Sequence, residues 1–369
     1  MTTEIELPVS IGEGLDKLTI LEIKLEKIKD ARREDCQKEF NALASKLKPY
    51  LDRVPWHYKI LKEINFRIWN LQDESHSRSM SSVEIGKLYA EVLSENDRRF
   101  RMKAKINHCL SSSLKEQKGY AKKKLFFYGH LGMGDMFWLC GAVRYFSTAY
   151  DEVVVVCKQK YETNVRAMYS DDPTISLFVI EDDYILYPFQ QVKRNAIEQS
   201  GYEVKACGQH SERPVLYEFP YSFYDDIQVP RSARVTYFYI PSLSESDSLW
   251  QTVVAYRKDY IMVHQKSSQK EMPIWDALYA KDPTRLILDV NTNHYHSCHP
   301  FYAIAEKVKN QPLLHYKSLL ENASEIHLLE SSLYCMASHL DLSKVGIKKC
   351  YDAFDNSNTR LGIFETATL

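Results

Sequence analysis

The chain has 369 residues, 44% hydrophobic and 26% charged, a composition that suits a folded globular protein with more than one core. A formal net charge of -1 leaves no global field to gather nucleic acid, and no run approaches the roughly 18 uncharged apolar residues of a membrane helix. The N-terminus lacks the charged start, apolar centre and small-residue cleavage site of a secretory leader. The eight cysteines are scattered without a CxxC pair, so reduced thiols in a cytoplasmic protein are expected and a zinc site is not.

The first third reads as helical. Residues 1 to 9 alternate like a short strand, and Ser10 followed by Glu13 matches a capping box. Ile11, Leu15, Leu18, Leu21, Leu25 and Ile28 form an apolar stripe, with Asp16, Lys17, Glu22, Lys24, Glu26 and Lys27 expected on the solvent face. This helix is expected to reach about Leu51, with its continuity weakest at Asp30 to Glu34, before Pro55 stops it. Further helices are expected over Trp56–Gln72 and from Ser82, with Glu84 near its start, to Cys109. Residues 1–110 therefore read as a helical bundle or hairpin domain. His57, His76 and His108 are isolated within it and read as surface or packing residues. The domain is either an oligomerisation or docking module or a solvated appendage. Its stretch PVSIGEGLDKLTILEIKLEKIKD resembles the start of a bacterial domain family of unknown function, found in or near proteins of surface-polysaccharide synthesis.

Residues 111–123 are polar and read as a linker. The apolar run Leu125–Tyr128 that follows has the look of a buried parallel strand. Gly129, Gly132 and Gly134 come next, with His130 and Asp135 among them, and a helix is expected from about Asp135. Strand, glycine turn and helix open a doubly wound α/β domain, which binds its ligand at the carboxyl ends of its strands. The glycine spacing fits neither the dinucleotide fingerprint, since Phe137 stands where a third glycine is needed, nor a P-loop. Taken alone, it reads equally well as a tight connection with a capping aspartate.

Strands are expected at Glu152–Cys157 and Ile175–Ile180, with a helix over Gln159–Tyr169 between them. Tyr202–Cys207, Val215–Phe219 and Val235–Ile240 read as further strands around an aromatic cluster, LYEFPYSFYDD at 216–226, which suits either an acceptor pocket or plain packing. The first α/β domain thus spans 124–241, and a connector spans 242–258. A second α/β domain is expected over 259–355, with strands at Tyr260–Val263, Leu286–Val290, Pro312–His315, Ile326–Leu329 and Gly346–Tyr351, and a helix around Lys317–Asn322. A loosely ordered tail, 356–369, closes the chain.

Three segments of this pattern end strands. The first is the glycine turn with Asp135 and His130. The second is HQKSSQK, whose Lys266, Ser267, Ser268 and Lys270 are residue types that hold a diphosphate. The third is Glu330, Ser331 and Ser332, where hydroxyls and helix N–H groups suit an anion and the carboxylate suits a ribose or sugar hydroxyl. A capped helix and a solvated loop are the plain readings of the last two. No DxD pair stands at a strand end, and Asp182-Asp183 matches by letters only.

FYGHLGMGDMFWLCGAVRYF, HQKSSQK and EIHLLESSLYCMASHL resemble the corresponding parts of the two-domain glycosyltransferases of the GT-B type, nearest to the ADP-heptose:lipopolysaccharide heptosyltransferase group, over roughly Lys123 to Ala353. The resemblance implies two Rossmann-like domains and inverting sugar transfer from a nucleotide-diphosphate sugar to a hydroxyl of a glycan or glycoconjugate, with no obligatory metal or other cofactor. It implies that Asp135 is the catalytic base and that His130 contacts acceptor or donor. Donor binding would fall on Gly132, Gly134, Lys266, Ser267, Ser268, Lys270, Glu330, Ser331 and Ser332. In the last motif Ser332 stands where that group has glycine, and Tyr334-Cys335 follows. Two other readings remain: a nucleotide-sugar epimerase or hydrolase, and a non-catalytic nucleotide-sugar-binding or assembly protein. Homo-oligomerisation or partner docking through the helical domain is open.

Overall fold

The computed structural model describes residues 7–77, 79–119, 121–182, 194–207, 220–267, 270–351 and 363–367. The chain divides into two compact units. One comprises 1–125 with 145–153 and 171–176; the other comprises 126–144, 154–170 and 177–369.

The first unit is built on four helices, α1 (Ile11–Lys27), α2 (Arg32–Leu51), α3 (Pro55–Ser77) and α4 (Ser82–Cys109). The long first helix expected from the stripe is two helices. Asp30 accepts the Arg32 N–H at 3.1 Å, a local turn that competes with helix continuation. Ser10 caps α1 by accepting the Glu13 N–H, but the Glu13 carboxylate turns to Lys103 at 2.6 Å, so the expected box is half made. A complete box closes α4 instead, on Ser81 with Glu84, one residue earlier than Ser82. Leu15, Leu18 and Leu21 are buried as the stripe requires. Asp16, expected in solvent, is buried with them. It accepts from Asn65 Nδ2 at 2.8 Å and Arg99 Nε at 2.8 Å, so α1, α3 and α4 meet on one ion-paired carboxylate. Of the isolated histidines, His57 is buried beside Asp171 and His76 and His108 are exposed.

Two sheets follow. The first is ordered β3-β2-β1-β4, from β1 (Lys124–Tyr128), β2 (Glu152–Lys158), β3 (Ile175–Ile180) and β4 (Tyr202–Ala206). The division between the units passes through its strands. The second sheet is β6-β5-β7-β8-β9, parallel throughout, from β5 (Tyr260–His264), β6 (Leu286–Asp289), β7 (Glu325–Leu329), β8 (Ile347–Tyr351) and β9 (Glu365–Ala367). Both orders reverse direction once, at β1 in the first sheet and at β5 in the second. A doubly wound sheet opens its ligand crevice at such a reversal, beyond the carboxyl ends of the strands. The expected α/β class with a helical N-terminal region is what forms.

Several local expectations are corrected. Val235–Ile240 is not a strand. Ala233–Thr236 is a short helix jammed against α5 (Met133–Ala149), where a Cβ on Gly141 would stand 2.3 Å from the Ala233 carbonyl oxygen. Leu313–Tyr316 is a 3-10 turn rather than a strand, closed by the Tyr316 hydroxyl, which accepts from Gln311 N–H at 2.9 Å and donates to the Val308 carbonyl at 2.8 Å. The tail is not wholly loose, because Lys349–Tyr351 pair with Glu365–Ala367. The Val215–Phe219 strand, Asp183, and Leu216 to Phe219 of the aromatic cluster lie outside the described residues.

Candidate active site

The first reversal point is formed by β1 and α5. Leu125–Tyr128 is buried, as an apolar run in a two-faced sheet must be. The chain leaves it through Gly129, where a Cβ would meet Leu139 Cδ1 at 2.7 Å. Helix α5 begins with the Met136 N–H donating to the Gly132 carbonyl at 3.0 Å, so Asp135 lies in the first turn, where exposed N–H groups favour a carboxylate. That carboxylate folds back over Gly132, since a Cβ there would lie 2.6 Å from its Oδ2. The same oxygen is 3.1 Å from His130 Nδ1. The His130 side chain is 55% exposed and that of Asp135 20%, so the pair opens to solvent. The Phe223 ring stands 5.4 Å from the imidazole. Tyr224, next to it, is core, with its hydroxyl donating to the Trp138 carbonyl at 2.8 Å.

Gly134 serves a close approach. A Cβ on it would be 3.1 Å from Cys335 Sγ and 3.9 Å from Ser332 Cα, so the start of α5 lies against the helix Ser332–Ala337. Burial pushes the Cys335 thiol well above its ordinary pKa, and the carboxylates of Asp135 and Glu330 push it further. Both carboxylates are therefore near enough to act on the same buried sulfur. Gly134 and Ser332, far apart along the chain, come together here.

The second reversal point is bridged directly. His264, the last residue of β5, has Nδ1 2.9 Å from the Ser331 hydroxyl beyond β7, and that hydroxyl also caps the following helix by accepting from Tyr334 N–H. Ser331 thus ties two strand ends together, and its hydroxyl is committed within the protein. Gln265 and Asp289 hold the neighbouring ends: Gln265 Oε1 accepts from Trp275 N–H at 2.7 Å, and buried Asp289 binds Asn291 N–H at 2.9 Å and His294 Nε2 at 2.7 Å. The two described ends of the Lys/Ser segment are tied to each other. Lys266 pairs with Glu271 at 2.9 Å, and Ser267 exchanges bonds with Lys270, its N–H donating to the Lys270 carbonyl at 2.8 Å and its Oγ accepting from Lys270 N–H at 3.1 Å. Ser268 lies outside the described residues. Asp182, the other lettered candidate, is 3.3 Å from Lys158.

A cluster that sequence reading missed adjoins this place. The buried guanidinium of Arg234 lies 4.2 Å over the Trp138 ring, and its Nε donates to His339 Nε2 at 3.3 Å. His339 Nδ1 donates to the Cys335 carbonyl at 2.8 Å, which leaves Nε2 as the acceptor and the ring neutral. Burial, reinforced by Arg234, holds His339 down to about 3. No spacing rule links Arg234 to a histidine 105 positions away.

His264 is likewise held neutral, with burial lowering it to about 4. Its folded pKa lies below the ordinary 6.5, so the unfolded chain takes up a proton first as pH falls. Stability from this group is complete above pH 6.5 and is lost as pH drops towards 4, by on the order of 3 kcal/mol. The melting temperature is expected to fall over that window, and less steeply in His264→Gln; an equal slope in the variant would refute this assignment.

No protein-family profile matches the sequence, and no curated protein does. Among solved structures, the chain is similar to the bacterial iron-containing dodecameric glycosyltransferase TibC from enterotoxigenic E. coli, at 16% identity and TM-score 0.41, over 68% of this chain and 64% of that one. It thus spans just under two thirds of TibC's length. It is also similar to E. coli ADP-heptose lps heptosyltransferase II, at 11% identity and TM-score 0.45, over 67% of this chain and 90% of that one. A glycosyl transferase family 9 structure from Veillonella parvula matches at 10% identity and TM-score 0.37, over 62% of this chain and 80% of that one. Likeness at this level identifies neither activity nor ligand.

Proposed function

We propose that the chain is a glycosyltransferase of the GT-B type, moving a sugar from a nucleotide-diphosphate sugar to a hydroxyl of a glycan or glycoconjugate, with inversion and without an obligatory metal. One observation carries the reading. Asp135, paired with His130 at the first reversal point, follows Gly134, whose backbone comes up against Ser332 and Cys335 just beyond a strand end of the second sheet. Transfer chemistry needs such a meeting of an acceptor-side base and a donor-side crevice.

In this reading Asp135 Oδ2 takes the proton of the acceptor hydroxyl as its oxygen attacks the anomeric carbon, and the bond from that carbon to the diphosphate breaks. His130, 3.1 Å away, orients the carboxylate and is exposed enough to meet substrate. Glu330 accepts from a ribose or sugar hydroxyl. Lys270, Ser267, Ser268 and Ser332 are assigned the departing diphosphate, with hydroxyl donors and point charge stabilising it. Lys266 and Ser331 take supporting parts, because Glu271 and His264 already hold them. Gly132 and Gly134 allow the close approaches on which the site depends.

The test is a thermal-shift screen of the full chain against UDP, GDP, ADP, CMP and their sugar conjugates. A ligand present at 100 times its Kd stabilises the folded state by about 2.7 kcal/mol. A rise with one nucleoside diphosphate is expected, reduced in Lys270→Ala and in Ser332→Ala. No rise with any of them sinks the donor assignment and leaves an assembly protein. Loss of the sugar from the bound conjugate without any acceptor product points to the epimerase or hydrolase reading.

A further inference from the structure

The first half of α4 is poorly covered. Val83, Ile85, Tyr89 and Leu93 are 68%, 53%, 61% and 51% exposed. The helix does not depend on a cover to form, being closed by the Ser81–Glu84 box and held to α3 by Arg67 and Glu91 at 3.1 Å. At about 100° per residue these four side chains share one half of the helix surface with Gly86, Ala90 and Val92, while Glu84, Lys87 and Glu91 take the other half. A contiguous apolar face of this kind marks an interaction site.

The order of residues along the face says what fits it. Laid antiparallel on itself, with the two-fold axis midway between Lys87 and Leu88, the helix sets Tyr89 opposite Gly86, Ile85 opposite Ala90, Leu93 opposite Ser82 and Val92 opposite Val83. Large side chains meet small ones at three of the four levels. A Cβ added at Gly86 would meet nothing within 4 Å, so the space for the tyrosine is open. The four large side chains expose on the order of 100 Å² each, so two copies bring about 800 Å² before Ser82, Gly86, Ala90, Val92 and the rim are counted, which approaches the ~1,200 Å² of a specific interface.

We propose that two copies of this chain pair through the α4 face, antiparallel, with Tyr89 of each seated over Gly86 of the other. This pairing does not depend on the transferase reading. Sedimentation velocity of the full chain from about 1 to 100 μM tests it, a range that brackets the affinity of a modest interface. The wild type is expected to shift to a dimer across that range. Gly86→Trp, which fills the space, and Tyr89→Glu, which charges the contact, are expected to remain monomeric with unchanged melting temperatures, because both positions are exposed. A monomeric wild type at the highest concentration overturns the proposal, and so does a dimer that survives both substitutions. An assembly that draws in another protein but leaves this chain monomeric overturns it as well.

Discussion

Asp135→Asn is expected to lower sugar-transfer turnover by about 10²–10⁴-fold, the usual contribution of a positioned general base. The amide keeps the shape of the carboxylate and a hydrogen-bond partner for His130 but cannot take the acceptor's proton. Stability is expected to change by less than about 1 kcal/mol, since a pair open to solvent contributes little to folding. Gly132→Ala supplies the matching geometric test. Its Cβ would stand 2.6 Å from Asp135 Oδ2, and the carboxylate is the part able to move. That displacement breaks the His130 contact, so turnover is expected to fall while the melting temperature holds. Product formation from the donor found by thermal shift, followed by mass spectrometry, reads both variants. Full turnover in Asp135→Asn removes the base from this residue and the mechanism with it.

The largest effect on stability is expected within the helical unit, at Lys105→Met. The Lys105 ammonium and the Asp172 carboxylate have side chains 0% and 1% exposed and lie 2.5 Å apart. Lys105 Nζ also donates to Thr174 Oγ1 at 2.7 Å, and Asp172 Oδ1 accepts from Thr174 N–H at 3.0 Å. Removing the cation breaks this buried ion pair on one side only, which costs about 3–5 kcal/mol. The double variant Lys105→Met/Asp172→Asn is expected to recover much of that loss, because the amide still receives the Thr174 N–H and carries no charge. Urea denaturation midpoints decide the matter. A single variant within about 1 kcal/mol of the wild type would show that the pair is solvated.

How much of this was legible in the residues depended on the range of the interaction. The strand Leu125–Tyr128 could be read because four consecutive apolar residues between lysines and glycine have few other uses. The strand Ile175–Ile180 and the helix Lys317–Asn322 also form where expected, on signals just as local. Asp135 and His130 could each be singled out from the glycine turn, but the contact between them, 3.1 Å from Nδ1 to Oδ2, came only with the fold. Some local readings failed because a distant partner intervened. Asp16 reads as a solvent charge until Arg99, 83 positions on, arrives beside it. Val235–Ile240 has strand-like residues, yet Gly141 offers the Ala233 carbonyl a closer seat on α5 than a sheet would.

Periodicity and turn chemistry within a few positions were enough to read the helical character of the first 110 residues, the α/β character of the remainder and the strand-end placement of the candidate residues. Only the tertiary structure decided which candidate groups stay available. It committed Ser331 to His264, 67 positions away, and Lys266 to Glu271. It also set Gly134 against Cys335 and buried Arg234 on Trp138. The physical reason is that spacing along the chain reports neighbours on one helix face or strand, whereas desolvation and ion pairing depend on what the fold brings in from elsewhere.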